Sequence, residues 1–111
     1  MTISWNDFEK VDIRVGTIIE VNDFPKARKP AYQLKVDFGP DTGIKQSSAQ
    51  ITAHYSKEDL LHKQVIGVVN FPPKQIADFV SECLVLGIYD ANKDVILLQP
   101  ERAVSNGHKI G

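Results

Sequence analysis

Cysteine is nearly absent from the chain: Cys83 is the one thiol in 111 residues. A lone cysteine closes no internal disulfide, which suits a reducing compartment. Long apolar runs are lacking too, and the longest, Cys83–Tyr89, is far short of a membrane span. The opening residues, Met1–Asp7, have neither the basic start nor the apolar run of a secretory signal, so a cytoplasmic location without membrane insertion is expected. No charge sign dominates, because 13 basic and 14 acidic residues leave a net charge of −1. The molecule as a whole is no polycation, and any nucleic-acid contact must come from a local patch.

Signals of catalysis are missing as well. His54, His62 and His108 are far apart and in no metal-ligand spacing, so neither a metal nor another cofactor is expected. The glycines Gly16, Gly39, Gly43, Gly67 and Gly87 stand singly, which leaves no phosphate-cradling loop. Cys83 opens an apolar strand, where a buried, inert thiol is the plain reading. The chain reads as a binding protein and not as an enzyme.

What is present is a globular composition, 42% hydrophobic and 24% charged. Strand-like alternation dominates. Over 12–21, Ile13, Val15, Ile19 and Val21 fall on one face, with Asp12, Arg14 and Glu20 on the other. Tyr32, Leu34, Val36 and Phe38 alternate with Gln33, Lys35 and Asp37 without a fault, and 39–43 reads as a turn. A weaker third strand follows over 44–52. Ser56 with Asp59 three residues on marks the start of a helix of about two turns through Leu60 and Leu61. The run 64–71 reads as a strand buried on both faces and stopped by Pro72–Pro73. Two last strands, 84–89 and 95–98, are joined by a polar turn. Short strands with one helix between the third and fourth predict an all-β protein, a five-stranded Greek-key barrel of the oligonucleotide/oligosaccharide-binding (OB) type, with residues 1–111 as one domain. Another six-stranded barrel or sandwich fits the periodicity equally.

Three features carry binding potential. Lys26, Arg28, Lys29 and Lys35 place four cations among ten residues without an acid, in the loop joining the first two strands, which OB barrels turn towards their ligands. Phe71, Pro72, Ile76 and Phe79 cluster after the fourth strand, either as a lid folded on the barrel or as an apolar groove. Ile3, Trp5 and Phe8 before the first strand, with Val104 and Ile110 after the last, predict apolar end segments that hold a symmetric homodimer.

The stretch Val11-Asp12-Ile13-Arg14-Val15-Gly16, preceded by Phe8, resembles the opening of the tRNA-binding domain family. The resemblance continues through 34–39, His54-Tyr55-Ser56, Asn70, Pro73 and Ser81-Glu82, nearly the whole chain in order. Phe24–Pro30 stands where tRNA binders carry His-Pro-Asn-Ala-Asp-Lys-Leu, and Cys83-Leu84 replaces a Gly-Met pair. With Asn70–Ile76, these departures resemble the CsaA branch of export-related chaperones. The resemblance implies an OB barrel and a cytoplasmic, ATP-independent homodimer. Such a dimer binds unfolded or secretory precursor polypeptides and passes them to the export machinery. Phe24, Phe71, Pro72, Ile76, Phe79 and Leu84 are the expected groove-lining residues. Lys29, Ser81 and Leu84 match family positions lining the tRNA site. Lys26, Arg28, Lys29, Lys35 and Ser81 are accordingly the expected nucleic-acid contacts, and tRNA is the alternative partner. A free-standing synthetase appendage that partners a larger enzyme is a further alternative.

Overall fold

The computed structural model describes residues 1–111. Ser4 starts the first element, the one-turn helix α1 (Trp5–Glu9): its hydroxyl accepts from the Asp7 N–H, and the Asp7 carboxylate accepts from the Ser4 N–H. This reciprocal pairing satisfies two of the amides that a helix start leaves without partners. Strand β1 (Ile13–Asp23) then runs through the centre of the sheet. It pairs with β4 (Gln64–Val68) over its first half and with β2 (Tyr32–Asp37) over its second.

The alternation expected along β1 breaks in the middle. A bulge between Ile18 and Glu20 inserts one residue and flips the faces, so Ile18 is fully buried and Ile19 is 38% exposed. A one-residue slip exchanges the faces of a strand, which is why period-two reading assigned Ile19 inward. Strand β2 follows its pattern faithfully, with Leu34 and Val36 buried and Lys35 exposed.

Gly39–Thr42 forms a single helical turn, α2, before β3 (Ile44–Ala49). The helix between β3 and β4 is present as α3 (Lys57–Leu60), with the capping box between Ser56 and Asp59 in place. Hydrogen bonds from the Ser56 amide and then its hydroxyl hold the Asp59 carboxyl below the usual carboxylate range. The helix is one turn, not two. Leu61 is extended and His62 takes a left-handed φ of 72°, which lets the His62 N–H donate to the Ile18 carbonyl at 2.8 Å. Pairing with β1 ends the helix, and Leu60 is left fully buried as a plug.

After β4 the chain forms a hairpin, β5 (Lys74–Ile76) and β6 (Phe79–Ser81), where a lid or irregular groove wall was expected. The stretch 84–89 is two strands, β7 (Leu84–Val85) and β8 (Gly87–Tyr89). The first pairs with β4, and the second forms a hairpin with β9 (Val95–Leu97). The main sheet has the order β3-β2-β1-β4-β7, an antiparallel, nearly closed five-stranded barrel of OB type. Its seam is closed by the Ser81-Glu82 pair. The Glu82 N–H donates to the Gln46 carbonyl at 2.8 Å, the Glu82 carboxylate accepts from the Gln46 N–H at 3.0 Å, and the Ser81 hydroxyl accepts from the Ser48 N–H at 3.2 Å.

Inside the barrel, Phe38 is the largest fully buried side chain, packed with Ile18, Leu34, Val36, Leu60 and Val65. The ring lies directly against Gly16 of β1 and Gly67 of β4. A Cβ at Gly16 would sit 2.7 Å from Phe38 Cδ1, and one at Gly67 would sit 3.0 Å from Phe38 Cζ. Those glycines make room for an aromatic ring in a small interior. At the end of the chain, residues 107–110 run along β1, with Ile110 N–H donating to the Ile13 carbonyl and Gly107 N–H to that of Val15. No helix is long and apolar enough to cross a membrane.

Candidate binding groove and basic loop

The hairpin β5–β6 decides where every candidate side chain ends up. On one side it meets the loop between β1 and β2. Phe24 and Phe79 are buried there at 5% and 9% exposure, their ring centroids 5.5 Å apart, with Ala31 beside them. Neither lines the large groove beside β5. The expectation that they do is corrected by this packing: each ring is the other's cover, and together they fasten the loop to the hairpin.

Strand β5 also lines an open groove of about 970 Å³, and Ile76 belongs both to that lining and to the surroundings of the Phe24–Phe79 contact. Phe71–Ile76 line it together with Ser48–Ile51, Ser81–Val85 and, from the β8–β9 hairpin, Tyr89, Lys93 and Val95. Four of the six expected apolar residues, Phe71, Pro72, Ile76 and Leu84, thus come together. Phe71 and Leu84 keep about half their surface free, at 53% and 46%. Cys83 belongs to the lining, where burial pushes its thiol up to about 11 and leaves it unreactive at neutral pH. Ser81 borders the groove, but its hydroxyl is engaged in the barrel seam, accepting from Ser48 and donating to the Cys83 carbonyl.

The cations are dispersed around this geometry. None of Lys26, Arg28, Lys29 and Lys35 lines the groove. Lys26 pairs with Asp78 at the hairpin tip at 3.1 Å, and Lys35 with Glu20 at 3.6 Å. Acids distant in sequence therefore answer two of the four charges, and the acid-free patch seen along the chain shrinks to Arg28 and Lys29, which are exposed and without an ion pair. Sequence reading missed the groove's own cations, Lys74 and Lys93, and its aromatic, Tyr89, 75% exposed. For Lys74 the missing signal was the hairpin turn: Ala77 holds a left-handed φ of 53° where glycine or asparagine would have announced a reversal.

Several residues of the family signature prove to be fasteners. Asp12 binds Arg14 Nε at 2.8 Å, and Arg14 also donates to the Gly107 carbonyl, which ties β1 to the end of the chain. Asn70 accepts from the Asp12 N–H and donates to the Lys10 carbonyl, joining β1 to the end of α1. Tyr55 accepts from the Leu97 N–H through its hydroxyl, while its carbonyl accepts from the Tyr32 hydroxyl.

Comparison with known proteins agrees with this architecture. Residues 13–109 match the family described as "Putative tRNA binding domain". The crystal structure of the CsaA chaperone protein from Picrophilus torridus superposes with a TM-score of 0.93 at 55% identity, covering 99% of this chain and 100% of that one. The structure of chaperone CsaA from Bacillus anthracis gives 0.92 at 49% identity, with both chains wholly covered. Methionine–tRNA ligase of Thermococcus onnurineus is 37% identical over 108 residues, which are 97% of this chain but 14% of that protein's length. The match over 97 consecutive positions establishes that this chain belongs to the tRNA-binding domain family, with its full-length likeness to the CsaA chaperones.

Proposed function

We propose that the chain is a non-catalytic chaperone module that captures extended, apolar segments of unfolded or precursor polypeptides in the groove between β5 and the β8–β9 hairpin. The observation that carries this reading is the accessibility of Phe71 and Leu84 in the lining of one open cleft. Apolar side chains of a client gain by leaving water there. Lys74 and Lys93 on the rims favour neutral or acidic client segments. Release proceeds by mass action or by transfer to a partner, such as the export machinery of the cytoplasm. Likeness over the full length of two CsaA chaperones supports the same assignment.

The test is capture of a permanently unfolded, carboxymethylated polypeptide by a Phe71→Ala/Leu84→Ala double variant. Both positions are about half exposed, so the fold is expected to survive. Affinity is expected to fall by on the order of tenfold or more, the usual effect of truncating two central contacts. A folded variant that binds the client as tightly as the parent rejects the groove.

The module acts as a homodimer in this reading. Ile3 and Trp5 remain 69% and 81% exposed beside Phe8 and Gly111, an apolar patch the chain itself does not cover. Sedimentation at micromolar concentration is expected to show a dimer, and Trp5→Lys is expected to shift it towards monomer. A monomeric parent protein refutes the dimer.

A second reading, RNA binding, is favoured by the family match and by the free charges of Arg28 and Lys29. It is compatible with the first, because none of Lys26, Arg28, Lys29 and Lys35 lines the groove.

A further inference from the structure

One side-chain cluster belongs to neither the groove nor the basic loop. His54 follows β3, while Asp90 and Asp94 stand at the two ends of the turn joining β8 to β9. Asp90 is held by its own turn: one carboxylate oxygen accepts from the N–H groups of Asn92 and Asp94, both at 2.9 Å. The other oxygen lies 2.7 Å from His54 Nε2. Asp94 is half-buried, and its carboxylate makes no hydrogen bond or ion pair. Yet a donor atom of each of the three residues lies within 4.8 Å of the others. Two carboxylates and one imidazole thus converge on one spot, a donor set that suits a divalent cation.

We propose that His54, Asp90 and Asp94 form a binding site for a first-row divalent metal ion of the zinc class. One imidazole nitrogen and two carboxylate oxygens suit such ions. Calcium instead takes six to eight oxygens, and magnesium retains its water. Zinc bonds to these donors span about 2.0–2.2 Å, so small rotations of side chains that face solvent draw the three atoms in. The amides on Asp90 act as the outer-shell contacts that orient a ligand. Open space on the solvent side leaves a position for water. The bound ion would cross-link the segment after β3 to the β8–β9 turn, two stretches separated by 36 residues.

The experiment is calorimetric titration of Zn²⁺ alone into the full chain, in buffer free of phosphate and chelator, beside Asp94→Asn and His54→Ala. Asp94→Asn keeps size and forfeits no hydrogen bond of its side chain, so its folding is not at issue. The parent is expected to take up one Zn²⁺ per chain, with affinity falling on the order of tenfold or more in each variant. Amide exchange at Asn92 and Asp94 is expected to slow with Zn²⁺ in the parent and not in the variants. The site is overturned if the parent binds no Zn²⁺, if either variant binds it unchanged, as uptake by the exposed His62 or His108 would give, or if Ca²⁺ binds as tightly.

Discussion

Replacing Phe38 with alanine is expected to remove about 3–5 kcal/mol of stability, the range for deleting a fully buried aromatic ring. Domains of this size hold about 5–15 kcal/mol in total. A loss of that order lowers the midpoint of thermal unfolding by roughly 12 °C or more. The reason is specific to the site. Phe38 is 0% exposed, and the backbones of Gly16 and Gly67 press against its ring, so no side chain stands ready to collapse into the vacated space. The same geometry predicts coupling. Gly67→Ala alone sets a Cβ at 3.0 and 3.3 Å from two ring atoms of Phe38, and at 3.3 Å from the Leu84 carbonyl. With the ring gone, two of the three obstacles vanish, so Gly67→Ala is expected to cost less in the Phe38→Ala background, with a coupling of about 1 kcal/mol. Gly16→Ala should couple more weakly, because two of its three obstacles, Val36 Cγ1 at 2.7 Å and the Asp37 carbonyl at 2.9 Å, stay in place. Urea denaturation of the four proteins in the Gly67 cycle measures the effect. Additive losses there would mean that the ring and the glycine do not share one space.

How far these features could be read beforehand depended on whether the physics was local. Strand β2 was legible because its own alternation is unbroken: its register with β3 is continuous, and the bulge in its pairing with β1 falls on β1. The capping box of α3 was legible in Ser56 and Asp59. The same signature at Ser4 and Asp7 went unread, since Ile3, Trp5 and Phe8 drew attention as an end segment and not as a helix. The bulge in β1 had no signal in the chain, because Ile18 and Ile19 are chemically identical and only the pairing partners distinguish them. Phe24, Phe71 and Phe79 likewise look alike in sequence. Docking of the loop on the β5–β6 hairpin buries the first and third and leaves the second in the groove. The apolar groove residues Phe71, Pro72, Ile76 and Leu84 were therefore legible as candidates, while Lys74, Tyr89, Lys93 and the division between core and surface were not. Ser81 and Glu82 show the converse, a recognisable pair whose visible work is closing the barrel.

The second large effect concerns the basic loop and separates cations that look equivalent in the chain. If RNA binds there, Arg28→Gln/Lys29→Gln is expected to weaken it about a hundredfold near 0.1 M salt, and to reduce the slope of log affinity against log salt by about two. Each cation that neutralises a phosphate releases counterions, and two such contacts are lost. Lys26→Gln is expected to do much less. Its ammonium already lies 3.1 Å from the Asp78 carboxylate, so an RNA phosphate must displace an existing partner, and the substitution leaves Asp78 as an uncompensated neighbour. Asp78→Asn then becomes the informative control, because it frees Lys26 and is expected to strengthen RNA binding. Lys35 follows the same logic with Glu20 at 3.6 Å. Fluorescence anisotropy with labelled tRNA across a salt series reads all four proteins. Equal losses at Lys26, Arg28 and Lys29 would show that the ion pair does not restrain Lys26, and a flat salt series would remove RNA from this surface. Because the Phe24–Phe79 contact that supports the loop is distinct from the groove lining, these charge variants are expected to leave capture of an uncharged unfolded client intact. Loss of both activities in one variant would instead mean that the loop and the groove form one surface.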